Sequence, residues 1–256
     1  MRTAVVVPHY NQSRFLGDSL RSILAQTYAD FRLYLVDDCS TDDGWIKQIE
    51  PLRSDPRLVV FKTSKNVGCH RIKAKLIPQL SERFIASQDA DDISHPLRLA
   101  KQMSALESGA ADVIGCNAIL IDADGNRQGV KKFPRIPYPW WLLGKSHIVL
   151  NPTSVVRRSV FDEIGSFDGT TSIGADTDFF HRAIRVFKVR NVPEPLYSYR
   201  QHSSSLTGSI TTGIGSKTRK EYVESMTQRQ KSLPLFPRKS QLRPKPIDIP
   251  FELRSV

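Results

Sequence analysis

Ile85-Ala-Ser-Gln-Asp-Ala-Asp-Asp-Ile-Ser-His-Pro96 is the stretch on which the reading of this chain turns. A short apolar run ends there in three carboxylates, Asp89, Asp91 and Asp92. Like charges this close repel, and burial raises carboxylate pKa values, so such a cluster persists cheaply only around a cation. A divalent metal is the simplest one. Asp-x-Asp at a strand end leaves coordination positions open for phosphate oxygens, the arrangement in which one or two carboxylates and a substrate together hold the ion. The alternative is a solvated acidic turn ahead of a helix, capped by Asp92 or Ser94 with Pro96 in its first turn.

Working outward, Arg83–Ser87 reads as the fourth strand of a series. Thr3-Ala-Val-Val-Val7 is apolar without alternation, as in a strand buried on both faces of a parallel sheet, and stops at Pro8-His-Tyr-Asn11. Ser13 is placed to cap a helix whose apolar positions Phe15, Leu16, Leu20, Ile23 and Leu24 recur at helical spacing. Phe31–Val36 gives a second strand ending in Asp37-Asp-Cys-Ser-Thr-Asp42, followed by a helix through Ile46, Ile49 and Leu52. Leu58–Phe61 gives the third, followed by Asn66-Val-Gly-Cys-His-Arg71 and a helix to about Leu80. Strands that end in polar turns feeding helices are βαβ units. Ligands bind beyond the carboxyl ends of such strands, so these turns and Asp89–Asp92 are expected to converge on one crevice.

Downstream, a helix from Pro96 to about Leu106 and a strand over Asp112–Ile121 precede Asp122-Ala-Asp-Gly-Asn126. That second Asp-x-Asp fails as a calcium loop, with Arg127 at position six and Phe133 at position twelve, and reads as a hairpin turn. Pro134–Gly144 holds Tyr138, Trp140 and Trp141, rings that either cover the core or present a surface to an acceptor sugar or lipid headgroup. Val155-Val156 leads from a strand into a short helix. Gly174-Ala-Asp-Thr-Asp178 opens a helix with Phe179, Phe180, Ile184 and Phe187 on one face; Asp176 there is either an N-terminal cap or a carboxylate aimed at a cleft and ready to accept a proton. Val192 and then Leu196–His202 close the strand series. Ser203–Ser216 reads as a mobile loop and Lys217–Ser232 as a polar helix, while Pro234, Pro237, Pro244, Pro246 and Pro250 argue against a compact ending.

The chain has 256 residues, enough for a sizeable core, and no apolar run long enough to span a membrane or act as a signal peptide. A cytoplasmic protein is expected. Cys39, Cys69 and Cys116 are far apart and odd in number, so no disulfide framework or zinc site is indicated. The net charge of +11 favours an anionic partner, and residues 215–256 carry +6 of it, ten Lys or Arg against four acids. That basic tail is either a solvated segment or a peripheral contact with the inner face of a membrane. A nucleic-acid-binding module is disfavoured because no such motif is present, and a dinucleotide enzyme because no Gly-x-Gly-x-x-Gly follows the first strand.

With these pieces in place the chain resembles a family 2 glycosyltransferase of the non-processive type with the α/β GT-A fold. The resemblance spans about residues 3–208 and rests on Val7-Pro-His-Tyr-Asn11, Asp37–Asp42, Asn66–Arg71, Asp89-Ala-Asp-Asp92 and Gly174-Ala-Asp176 followed by Tyr199-Arg-Gln-His202, in that order. It implies an inverting transfer from a nucleotide diphosphate sugar, by family habit a UDP-sugar, with Mn²⁺ or Mg²⁺. Pro8, Tyr10 and Asn11 would line the nucleotide pocket, Asp38 would bind the base, and Arg71 the base or phosphates. Asp89 and Asp91 match the element that holds ribose and metal, with Asp92 beside them as an alternative ligand. Asp176 matches the catalytic base and His202 a position that completes the metal site in some relatives; by residue type alone His202 is equally a surface or core histidine. The acceptor would be a glycan or lipid-linked glycan, touched by Trp140 and Trp141.

Two departures narrow the reading. Ala175 stands where many relatives have Glu, and no Gln-x-x-Arg-Trp signature of processive synthases is present. The division expected is a glycosyltransferase domain over 1–208, its nucleotide half to about 95 and its acceptor half from 96, then a basic extension over 209–256. A haloacid-dehalogenase-type phosphohydrolase also uses Asp-x-Asp at a strand end, there normally after the first strand, whereas here it follows the fourth.

Overall fold

The computed structural model describes residues 2–171, 173–203, 205, 213, 216–234, 237–244 and 251–256. The expected loop over Ser203–Ser216 falls largely outside them, as do Pro246 and Pro250. In chain order the elements are β1 (Thr3–His9), α1 (Ser13–Leu24), β2 (Phe31–Asp37), α2 (Gly44–Ile49), β3 (Leu58–Thr63), α3 (Cys69–Leu76), β4 (Phe84–Ser87) and β5 (Ile93–Ser94). There follow α4 (Arg98–Glu107), β6 (Val113–Ile121), β7 (Arg127–Lys131), α5 (Tyr138–Leu142), β8 (Val155–Arg157), α6 (Arg158–Ile164), α7 (Ala175–Ala183), β9 (Val189–Arg200), α8 (Lys217–Ser232) and β10 (Leu253–Ser255).

One mixed sheet runs β10-β3-β2-β1-β4-β8-β6-β9-β5, with β7 hairpinned onto β6. Strands β3, β2, β1 and β4 are mutually parallel, and β1 is flanked by β2 on one side and β4 on the other. The unbroken valine run of β1 has its reason in the two cores. Ala4 and Val6 join Ile72 and Leu76 of α3 and Phe179 and Ala183 of α7 on one face. Val5 and Val7 join Leu16 and Leu20 of α1, Trp45 of α2 and Leu99 and Met103 of α4 on the other. Side chains alternate along a strand, so a strand covered on both faces must be apolar at every position.

The local expectations differ from the structure in instructive ways. Ser13 does not cap α1: the helix has no side-chain cap, and the Ser13 hydroxyl bonds Asp42 instead. Helix α3 stops at Leu76, four residues early, where Pro78 turns the chain into a 3-10 turn over Ile77–Gln79. Val192 and Leu196–Arg200 are one strand rather than two, and its register against β6 slips beside Cys116 and Asn117, where Pro193 and Pro195 offer no N–H to the ladder. The proline-containing end is compact where it is described. Strand β10 pairs antiparallel with β3, and Leu242 and Phe251 are buried in the core around α3 and α7.

Candidate active site

The carboxyl ends of β1, β2, β4 and β9 meet at one edge of the sheet, and each delivers a polar turn. Those of β1 and β2 are laced together: Asn11 accepts from Thr41 N at 2.9 Å, and its own N–H donates to Ser40 Oγ at 3.0 Å. Among the described residues Asn11 and Cys39 are the non-glycine residues with left-handed backbones, at φ 49° and 60°. Strain of this kind persists where surrounding bonds over-determine it. Asp37 accepts from His9 Nδ1 at 3.0 Å. Asp38, also buried, takes the N–H groups of Val67 at 2.9 Å and Gly68 at 2.7 Å, so its carboxylate shapes the loop after β3; burial raises its pKa despite these bonds. Pro8 is half-buried and Tyr10 exposed at the mouth. Arg71 donates from Nε to the Gly169 carbonyl at 2.8 Å, joining α3 to the loop before α7.

At the end of β4 one carboxylate oxygen from each of Asp89, Asp91 and Asp92 lies within 4.8 Å of the others. This packing is produced by tertiary contacts. The two-residue strand β5 follows directly and pairs with β9, Ile93 opposite Ser198 and Ser94 opposite Tyr197, which brings the end of β9 across the acid loop. Arg200 N then donates to Asp92 Oδ1 at 2.7 Å and Arg200 Nε to the Asp91 carbonyl at 2.8 Å. His202 Nε2 lies 2.8 Å from Asp91 Oδ2. Asp92 Oδ2 is buried with no hydrogen-bond partner among the described residues. Burial, then the charges of Asp91 and Asp89, pushes Asp92 well above the usual carboxylate range. Asp89 is pushed up to about 6, chiefly by burial, with Lys73 opposing and Asp91 and Asp176 adding to the rise.

An orphaned carboxylate oxygen beside two further carboxylates and an imidazole is an oxygen-rich donor set suited to a divalent cation. The residues fit such an ion. Asp176 lies in the first turn of α7, half-buried. Its charge bears on both Asp89 and His70. Trp140 and Trp141 differ in exposure. Trp141 packs on Tyr138 and His181 beneath the Arg185 guanidinium, whereas Trp140 is 51% exposed.

Several residues of this edge escaped the sequence reading. Gln88 is fully buried and donates to the Asp92 carbonyl at 3.0 Å and the Asp89 carbonyl at 3.2 Å, holding the acid loop in shape. An amide between an apolar strand and an acidic cluster was the available signal. Tyr197 accepts from Asp89 N at 3.2 Å, and burial pushes its phenol well up. Lys73 is buried within 3.4 Å of Ser87 Oγ, where its charge favours ionised Asp89. No short motif marks Tyr197 or Lys73, because only folding brings them to the loop.

Among solved structures the chain is similar to S. aureus TarS residues 1–349 in complex with UDP, with TM-score 0.65 and 21% identity over 79% of this chain and 61% of that one. It is also similar to the mannosyltransferase PcManGT from Pyrobaculum calidifontis in complex with GDP-Man and Mn²⁺, with TM-score 0.60 and 19% identity over 77% and 56% of the two chains. The fold is thus the GT-A type of these glycosyltransferases. In sequence, the description Glycosyl transferase family 2 matches residues 4–165. EpsE of Bacillus subtilis, named as a glycosyltransferase, is 32% identical over 228 residues, 83% of this chain and 80% of EpsE. MJ1057 of Methanocaldococcus jannaschii, likewise so named, is 28% identical over 207 residues, 77% of this chain and 70% of its own. The chain belongs to glycosyl transferase family 2, which leaves the phosphohydrolase and nucleic-acid alternatives without support.

Proposed function

We propose that the chain moves a sugar from a nucleotide diphosphate sugar, a UDP-sugar in the first instance, to an acceptor hydroxyl with inversion, in the synthesis of a surface glycan. The observation that carries this reading is the acid loop, three carboxylates within 4.8 Å with one oxygen unpartnered among the described residues; the charge of Asp176 bears on its first member, Asp89. The UDP complex of TarS and the GDP-Man and Mn²⁺ complex of PcManGT support it by analogy. Asp91, Asp92 and His202 would hold Mn²⁺ or Mg²⁺, and Asp89 the ribose; such an ion supplies Lewis-acid stabilisation of charge on a departing diphosphate. Pro8, Tyr10 and Asn11 border the nucleotide, and Asp38 and Arg71 set its far wall. Asp176, in the first turn of α7, accepts the proton of the acceptor hydroxyl. One base on that side, with Ala175 in place of a second carboxylate, suits a single displacement. The acceptor is a glycan, free or lipid-linked.

A thermal-shift series with UDP, GDP and dTDP, each with and without Mn²⁺, tests donor class and metal together, since a ligand of the native state raises apparent stability. UDP should stabilise strongly only with Mn²⁺. Asp176→Asn should keep that shift and lose about 10²–10⁴-fold in transfer. Failure of every nucleotide to bind, or full turnover in Asp176→Asn, would refute the assignment.

A further inference from the structure

The loop around α5 is at odds with an ordinary soluble surface. Within residues 136–143 the side chains of Ile136, Tyr138, Trp140, Leu142 and Leu143 are all exposed, Leu143 at 79%. Four large apolar groups and a tyrosine on one short turn form a contiguous patch of the kind that marks an interaction site. Pro134, Pro137 and Pro139 stiffen the segment, and Trp141 anchors it on Tyr138, His181 and Arg185, so the apolar tip stands out from the domain instead of folding onto it.

The charge around this tip has one sign. Between Asp124 and Asp162 the sequence holds seven Lys or Arg and no Asp or Glu. Lys132, Arg135 and Lys145 flank the tip, are exposed, and form no ion pair among the described residues. A groove of about 560 Å³ bordered by Tyr138 and Pro139 of α5 is lined by Arg185, Lys188 and Arg190, and a second of about 780 Å³ beside Ile136 by Arg135 and Arg190. The acids there are already engaged: Glu194 pairs with Lys101, and Asp112 with Arg157 and the Lys188 N–H. Three cations of the basic tail, by contrast, are engaged by the domain. Arg229 pairs with Asp168 and Asp178, Lys239 with Glu163, and Arg243 donates to the Asp162 carbonyl.

We propose that the α5 tip is a membrane-docking element that inserts Trp140, Leu142 and Leu143 into a bilayer rich in anionic headgroups, with Lys132, Arg135 and Lys145 at headgroup level. Aromatic and aliphatic residues ringed by Lys and Arg are the composition of shallow interfacial binding. A second copy of the chain is the poorer occupant, because a two-fold interface would set the same unpaired cations against one another. A folded partner is poorer too, since protein hot spots sit in well-packed pockets whereas these side chains stand exposed on a short turn. The tip is tied to the helix that carries the proposed base: the Ser146 carbonyl, just beyond α5, lies 2.9 Å from His181 Nε2 of α7, whose first turn holds Asp176.

The test needs neither donor nor acceptor, and its failure leaves the proposed transfer reaction untouched. Full-length protein is sedimented with phosphatidylcholine vesicles and with vesicles in which one third of the lipid is phosphatidylglycerol. Binding should be at least tenfold tighter to the anionic vesicles, fall with salt, and be accompanied by a blue shift of tryptophan emission that Trp140→Phe largely removes, since Trp45 is already buried and Trp141 is packed on Tyr138 and His181. Trp140→Ser with Leu143→Ser should weaken binding at least tenfold without altering the melting temperature, because both side chains are exposed. Lys132→Glu with Lys145→Glu should do the same on anionic vesicles only. Wild-type protein that stays in the supernatant, serine variants that bind as wild type, or a solution dimer that the serine variants split would each overturn the proposal.

Discussion

At the scale of single residues, Asp92 carries the plainest conflict between stability and function. Its buried oxygen lacks a partner and its charge is opposed by burial and by two neighbouring acids. Asp92→Asn keeps an oxygen for the Arg200 N–H and removes the charge, so the metal-free protein should be as stable as wild type or more so. The variant should lose stabilisation by Mn²⁺, which for a site at 100 times its Kd amounts to about 2.7 kcal/mol. Melting curves at several Mn²⁺ concentrations read both effects. His181 poses a different question. Burial holds its pKa below the usual 6.5, although Nε2–H donates to the Ser146 carbonyl at 2.9 Å. The folded chain therefore binds fewer protons than the unfolded one as pH drops below 6.5, and stability falls with pH in that window. His181→Gln should make this acid-side loss shallower by up to one proton, as read from urea midpoints between pH 7 and pH 5.

Among elements, α7 is the one whose placement the proposed chemistry depends on. Its N-cap, Gly174, has φ 72°, and a Cβ there would lie 2.1 Å from the Tyr222 ring of α8. Tyr222 also donates its hydroxyl to the Gly174 carbonyl at 2.6 Å. Behind the same turn Arg182 is buried against Asp178 at 2.7 Å and donates to the Ile164, Gly165 and Ser166 carbonyls. Gly174→Ala should therefore cost about 1–3 kcal/mol from backbone strain with the ring clash added. Placing Tyr222→Ala in the same chain should recover the clash and leave the strain. A double-mutant cycle in urea separates the two.

On the scale of the whole molecule, the end of the chain belongs to the domain. Strand β10 extends the sheet beyond β3, and Phe251 lies in the core cluster that includes α3. Phe251→Ala should lower stability by about 3 kcal/mol, near the low end for a buried phenylalanine because the site is at the sheet edge. A denaturation midpoint indistinguishable from wild type would show that the terminal segment contributes nothing there. Among the described residues no helix is long and apolar enough to cross a membrane.

The α/β class, the first four strands, the hairpin at Asp122–Asn126 and the three acids were all legible in the chain itself, because each is written in local apolar period or in contiguous residue chemistry. The valine run of β1 could belong only to a strand buried on both faces. Nothing local told that Pro193 and Pro195 would sit inside one long strand, that Tyr197, Lys73 and Arg200 would close on the acid loop, or that the last residues would pair with β3. Those outcomes rest on contacts between segments far apart in sequence, such as Asp92 and Arg200, separated by 108 positions. Periodicity describes which face of a segment is buried; only the assembled sheet decides what that face, and the turn at its end, will meet.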